Sequence, residues 1–304
     1  MLAYREKNNL IHKIHPFTAL SFILTVFLLS LLFSHPVYLL ALFCAVGLVI
    51  GAAGIVPQWK GYLKFTLSMM VILMMVNALF VHNGATVLLR GPRLPVLGQT
   101  QITLEALAYG AGMGIRLLVI ISVFCFYTYA VHPDKVLKLF SRWGRQSVLA
   151  ITLATRLFPL ITQDFKRITE IQRCRGVKLT SGSWWEKIKN FVPIMSVLLL
   201  SCLERSWQMA ESMQARGYGS GPRTSYHRDL WRPRDWLILA GLGLGLGTGL
   251  WAVLAGWSAY AYYPRLGKID LASIKLAGVL MITLALPALL SWGWKKWPLF
   301  RSKI

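Results

Sequence analysis

Apolar residues run almost unbroken through six stretches of the chain, at about residues 17–33, 36–57, 62–82, 106–131, 236–258 and 272–294. Each approaches the ~20 apolar residues that an α-helix needs to cross a bilayer. The long polar stretch, residues 132–235, separates the fourth from the fifth. Within it Leu157, Ile161, Phe165, Ile168 and Ile171 recur every three or four positions, with Asp164, Lys166, Arg167 and Glu170 between them. That period predicts an amphipathic helix. The run Phe191–Leu203 is strongly apolar but only 13 residues long, and it continues with Trp207, Ala210 and Met213 against Glu204, Arg205 and Glu211. A second mixed helix is expected there, and two long helices near the membrane surface are the simplest arrangement. Pro159 and Pro193 are expected near the helix starts, where proline costs least. Gly84, Gly91, Pro92, Pro95 and Gly98 make residues 83–105 an external loop of hairpin character.

The composition agrees. The 304 residues are 56% hydrophobic and 14% charged, too apolar for a soluble globular protein of this size. The first apolar run follows basic residues, as a signal peptide would, but Ser34-His35-Pro36 is no small-residue cleavage pattern, so it reads as a retained span. A net charge of +22 in a soluble protein would suggest nucleic acid. With six spans, however, 27 basic residues fall on one side, 18 of them between His132 and Asp235. The other side holds only Arg90, Arg93, Arg265 and Lys268. The positive-inside rule then makes both termini cytoplasmic, and anionic headgroups account for the charge. A seventh span over 191–213 would break that bias. Trp184-Trp185 reads as an interfacial belt rather than a base-stacking platform.

Few residues suggest chemistry. No phosphate-cradling loop, nucleophile elbow or zinc helix is present, so no catalytic or cofactor-binding residue is assigned. Cys44, Cys125, Cys174 and Cys202 form no CxxC pair, and no metal site is assigned either. His12 and His15 share a helix face without carboxylates and read as an interfacial pair. Gly241, Gly245 and Gly249 recur every fourth residue inside a span, as do Gly110 and Gly114, which favours close helix packing over a nucleotide loop. Arg116 is the charged residue set well inside a span; it can snorkel, pair internally or serve function, and an internal partner is favoured.

The informative motifs are Cys174-Arg175-Gly176 and Ala215-Arg216-Gly217, 41 residues apart. In each, the glycine can end a helix and leave the arginine at its tip. A guanidinium at a helix tip suits an acidic socket on another protein.

With Arg156-Leu-Phe-Pro159, Phe165, Ile168, Pro193 and Met213-Gln-Ala-Arg-Gly-Tyr218, these motifs resemble the T component of energy-coupling factor (ECF) transporters, the EcfT/CbiQ family. The second Ala-Arg-Gly motif of the family matches at Ala215, Arg216 and Gly217. The first matches at Arg175 and Gly176, with Cys174 in place of the usual alanine. The opening Leu10–Leu20, with His15-Pro16, also resembles the family's start. The likeness is best over 132–225, and the chain after 230 looks longer than the family's usual ending. The resemblance implies an all-α integral membrane scaffold that joins two cytoplasmic ABC-type ATPases to a small membrane subunit binding a vitamin or a metal ion such as cobalt. Each arginine would enter a groove on one ATPase.

The resulting expectation is about six transmembrane helices plus a coupling region. Residues 1–131 carry spans one to four, 132–235 the cytoplasmic coupling helices, and 236–304 spans five and six. The protein is expected in the plasma membrane, with no catalysis of its own and no nucleic-acid partner. The alternatives are an ordinary permease or carrier with its own substrate site, and a membrane-embedded enzyme or assembly factor. A scarcity of intramembrane polar residues opposes the first, and the lack of an acid or histidine cluster opposes the second.

Overall fold

A computed structural model describes residues 9–81, 85–94, 98–140, 144–177, 183–221, 231–264, 267 and 270–296. Among these residues the helices are α1 (Pro16–Leu32), α2 (Pro36–Ala53), α3 (Val56–Phe80), α4 (Leu104–Ala130), α5 (Pro133–Phe140), α6 (Arg145–Cys174), α7 (Trp184–Ala215), α8 (Pro233–Leu254) and α9 (Leu271–Lys296). One antiparallel pair, β1 (Val87–Leu94) and β2 (Gly98–Thr103), forms the hairpin expected between α3 and α4. Glu105 pins its base. The carboxylate accepts the Thr86 N–H at 3.1 Å and the Thr86 hydroxyl at 2.5 Å.

The chain is an all-α membrane protein. Among the described residues six helices are long and apolar enough to cross a bilayer: α2, α3, α4, α6 from Gln146 to Cys174, α8 and α9. Five coincide with runs read from the sequence. The sequence reading counted α1 and left α6 out. α1 has 17 residues and is shorter than the others. α6 begins at Arg145, upstream of Leu157, and so gains Val148, Leu149, Ala150, Ile151 and Leu153.

The same early starts correct the placement of the prolines. Pro159 is the fifteenth residue of α6 and Pro193 the tenth of α7, both inside their helices. α6 starts after Gly144, and α7 starts after Ser183, whose N–H is capped by the Glu186 carboxylate at 3.2 Å. At α7 a capping side chain, not proline, sets the start, and α6 begins after Gly144 without a side-chain cap.

Three other helices begin with the dipeptide His-Pro. The Nδ1 of His15 accepts the N–H of Phe17, that of His35 accepts Val37, and that of His132 accepts Asp134, all at 3.2–3.3 Å. In each the imidazole caps an orphan N–H, while the proline occupies the first helical position, where its missing donor costs nothing. At the other ends, α2 stops at Ala53 rather than residue 57, and α8 at Leu254 rather than 258. Gly54 and Gly256 take positive φ there and turn the chain away.

The described chain forms two compact units whose border falls within α5. The first comprises Leu2–Val136 and Leu230–Ile304. Its core lies between α1, α2, α4, α8 and α9 and includes Val26, Leu29, Leu42, Val46, Val119, Val123, Leu242 and Leu284, all nearly inaccessible. α3 packs on α4 where glycine lets backbones approach: a Cβ on Gly110 or Gly114 would run into Met74 or Met70. Elsewhere α3 exposes Phe65, Leu67, Ile72, Met75 and Phe80, the surface a lipid-facing helix presents. The glycine face of α8 serves two neighbours. Gly241 and Gly245 meet Thr283, Leu284 and Leu286 of α9, whereas Gly249 meets Leu29 and Phe33 at the end of α1.

Arg116 has the internal partner favoured by the sequence. Its Nη2 donates to the Phe33 carbonyl at 2.8 Å, just past the C-terminal end of α1, where unpaired carbonyls leave partial negative charge. The second unit, Leu137–Asp229, is built on α6 and α7.

Candidate functional site

The candidate site is the pair of Arg-Gly helix ends in the second unit, and local backbone chemistry builds both. α6 ends at Cys174, Arg175 is its C-cap residue, and Gly176 turns left-handed at φ +85°. The Gly176 N–H reaches the Arg173 carbonyl at 3.0 Å, and the Val177 N–H reaches that of Gln172 at 3.1 Å. α7 repeats the pattern: it ends at Ala215, Arg216 is the C-cap, and Gly217 has φ +73°. Gly217 N–H bonds to Gln214 at 2.9 Å and Tyr218 N–H to Met213 at 3.0 Å. Each is a Schellman motif, in which a left-handed glycine folds the chain back to satisfy carbonyls that the helix end leaves free.

The two tips are therefore congruent, with arginine at the same position relative to the reversal. Arg175, Gly176, Ala215, Arg216 and Gly217 are all exposed, and neither arginine makes an ion pair among the described residues. A guanidinium held this way offers five donors in a planar fork to a carboxylate on another molecule. Sequence reasoning located both tips because the motif is local.

It did not find how the two helices meet. Phe165 of α6 packs on Phe191 of α7 with ring centroids 5.7 Å apart, and Asp164 pairs with Arg205 at 2.8 Å. Phe191 and Arg205 are 14 positions apart, about 21 Å of helix, yet they meet consecutive residues of α6. α7 therefore crosses α6 rather than running along it. Midway between them, Leu198 is buried, as is Ile194 one turn earlier. Charge alone offered a weak signal for the ion pair, since 18 basic residues in this stretch are all possible partners for Asp164.

The remaining candidates lie elsewhere in the fold. His12 and His15 are buried, His15 stacking on Trp231 at 4.1 Å between ring centroids. Trp184 and Trp185 are exposed and touch edge to face at 5.6 Å. Among the described residues no group of three or more His, Cys, Asp or Glu side chains is placed to hold a metal ion.

Comparison with known proteins bears on the whole arrangement. Residues 7–226 match the family CbiQ, described as cobalt transport protein. The chain is 30% identical over 269 residues to the energy-coupling factor transporter transmembrane protein EcfT of Listeria innocua, an alignment covering 82% of this chain and 96% of that protein. It is 26% identical over 251 residues to the protein of the same name from Staphylococcus aureus, covering 78% of this chain and 90% of that one. A shorter match to the Streptococcus thermophilus protein reaches 34% identity over 169 residues, or 52% of this chain and 64% of the relative.

Proposed function

The chain belongs to the CbiQ/EcfT family, the transmembrane components of energy-coupling factor transporters, and on that premise we propose that it couples two cytoplasmic ABC-type ATPases to a small membrane subunit that binds the cargo, a vitamin or a metal ion such as cobalt. The observation that carries the proposal is the congruence of the two tips. One chain offers the same arginine on the same Schellman turn twice, which is what two similar ATPase subunits with similar acidic grooves require. In this reading Arg175 and Arg216 enter the grooves. Gly176 and Gly217 hold the reversal, and Ala215, with Cys174 at the equivalent place, leaves room beside the arginine. The apolar residues exposed on α7, among them Leu199, Leu200, Leu203 and Trp207, face the substrate subunit or lipid.

Residues 132–235 form the cytoplasmic coupling region in this reading, between spans 1–131 and 236–304, in the plasma membrane with both termini inside. Two features support assigning α6 to the membrane surface despite its length. It carries Arg156, Asp164, Lys166, Arg167, Glu170 and Arg173, and the 27-to-4 division of basic residues holds only with six spans that include α1. A 17-residue α1 spans about 26 Å, close to the ~30 Å hydrocarbon core.

The chain has no nucleotide chemistry of its own in this proposal; hydrolysis lies in the partners. The test is co-expression with a pair of cytoplasmic ABC-type ATPases of an energy-coupling factor transporter. The wild-type chain should retain both through affinity purification, and ATP turnover should appear only in the complex. Saturable ATP binding by the chain alone, or failure to retain either ATPase, would overturn the reading.

A further inference from the structure

Asp164 and Arg205 form the one ion pair among the described residues, Oδ2 to Nη2 at 2.8 Å, with side chains 28% and 33% exposed. Asp164 precedes Arg175 by 11 residues, and Arg205 precedes Arg216 by the same 11. Eleven residues make three helical turns plus about 20°, and a rise of about 16 Å. Each tip arginine thus lies three turns beyond one member of the ion pair and on nearly the same side of its helix. Two arms of equal length leave a single charged contact.

The rest of the crossing is apolar. Phe165 and Phe191 bring the helices together, with Ile194 and Leu198 buried on α7, but apolar contact is non-directional and leaves rotation about it weakly specified. A charge-assisted hydrogen bond is directional. A pair this exposed contributes little to stability, about 0–1 kcal/mol. Orientation is therefore its stronger effect.

We propose that the Asp164–Arg205 pair is the pivot that sets the angle between α6 and α7, and so the separation at which Arg175 and Arg216 are presented to two partner subunits. The proposal rests on reading those arginines as docking tips. Equal arms have a mechanical consequence. A rotation of about 10° at the pivot displaces each tip by about 3 Å, so motion imposed by either partner is shared equally. Asp164 and Arg205 are positioning residues in this scheme and touch neither partner.

The experiment uses the full chain in lipid nanodiscs, with its four cysteines replaced by serine. Spin labels are placed at Glu170→Cys and Glu211→Cys, exposed sites that each precede a tip arginine by five residues. Pulsed electron paramagnetic resonance should give one narrow distance distribution. Asp164→Asn or Arg205→Gln should broaden or shift it, and the charge reversal Asp164→Arg with Arg205→Asp should restore it. In the complex with its ATPases, each single variant should still retain both ATPases while ATP turnover falls by about fivefold, the upper end for a partly exposed pair. The reversal should return turnover to within about twofold of wild type. An unchanged distance distribution in both single variants, or a reversal that restores neither quantity, overturns the pivot. If the wild-type chain retains no ATPase, the functional reading fails while the distance measurement still decides the pivot.

Discussion

The Asp235 carboxylate accepts the backbone N–H of His15 at 3.2 Å, joining residues 220 positions apart. Its other oxygen accepts the N–H of Arg232 at 3.1 Å, so one side chain caps α8 and holds the entry to α1. Arg234 adds a second tie, donating to the Lys13 carbonyl at 2.8 Å, and both Arg234 and Asp235 are 1% exposed. The knot secures the start of α8, 17 residues after Arg216 of the second tip.

Removing the acceptor should loosen that knot. Asp235→Ala removes the acceptor of the buried His15 N–H, and that of the Arg232 N–H at an exposed residue, at a cost of about 1–3 kcal/mol for the buried one. Asp235→Asn keeps one good acceptor and should cost less. Thermal unfolding of the detergent-solubilised protein measures both; an alanine variant that melts with the wild type would contradict this account of the knot.

At the tips, Arg175→Ala or Arg216→Ala should weaken ATPase association roughly tenfold or more, because a carboxylate in the partner loses its counter-charge. The double variant should lose the complex. Lysine should rescue only in part, since an ammonium does not reproduce a bidentate fork. Pull-down of the ATPases from co-expressing cells reads the series, and double-variant complexes at wild-type yield would leave these arginines no docking role.

The glycines make a separate prediction about geometry. Gly176 has open space around it, so Gly176→Ala carries only the left-handed backbone strain, about 1–2 kcal/mol. Gly217→Ala adds a close approach to the Ser220 Oγ at 3.0 Å. Asparagine, which tolerates this conformation, should preserve coupling better than valine at both positions. ATP turnover in the assembled complex ranks the variants, and equal turnover for asparagine and valine would mean that the Schellman turns do not position the arginines.

His35 gives a pH dependence. Burial holds its imidazole below the ordinary value of 6.5, and its unprotonated Nδ1 caps α2. Below pH 6.5 the unfolded chain takes up a proton that the folded one resists, so stability is full above that pH and falls beneath it. The loss levels off once the pH passes the lowered folded value. His35→Asn retains a capping oxygen without titrating and should flatten this part of the profile. Melting temperatures between pH 8 and 5 test it, and identical slopes for variant and wild type would remove His35 from the account.

For topology, cysteines introduced at Trp185 and Ser220 should resist membrane-impermeant maleimide added outside intact cells and react once the cells are opened. Strong labelling from outside would place the coupling region on the wrong face for any cytoplasmic ATPase.

The apolar runs, the hairpin loop and both Arg-Gly tips were legible in the sequence because each is decided locally. A helix in lipid must satisfy its own backbone, which demands a long apolar run, and a Schellman turn needs only a glycine after the last turn. The starts of α6 and α7 were misread because interior prolines resembled start signals, while the true starts rest on Gly144 and on Ser183 with Glu186.

Other choices belonged to the tertiary structure. Arg116 had no partner visible by spacing; its acceptor is a carbonyl 83 residues away, at a helix end brought alongside. The glycine stripe of α8 announced close packing but not that Gly249 would meet α1 while Gly241 and Gly245 meet α9. Asp164 found Arg205 among many basic residues only because the apolar crossing of α6 and α7 aligned them. Hydrophobic period and helix caps are written along the chain, whereas a hydrogen bond between distant residues exists only once packing has placed donor and acceptor within about 3 Å.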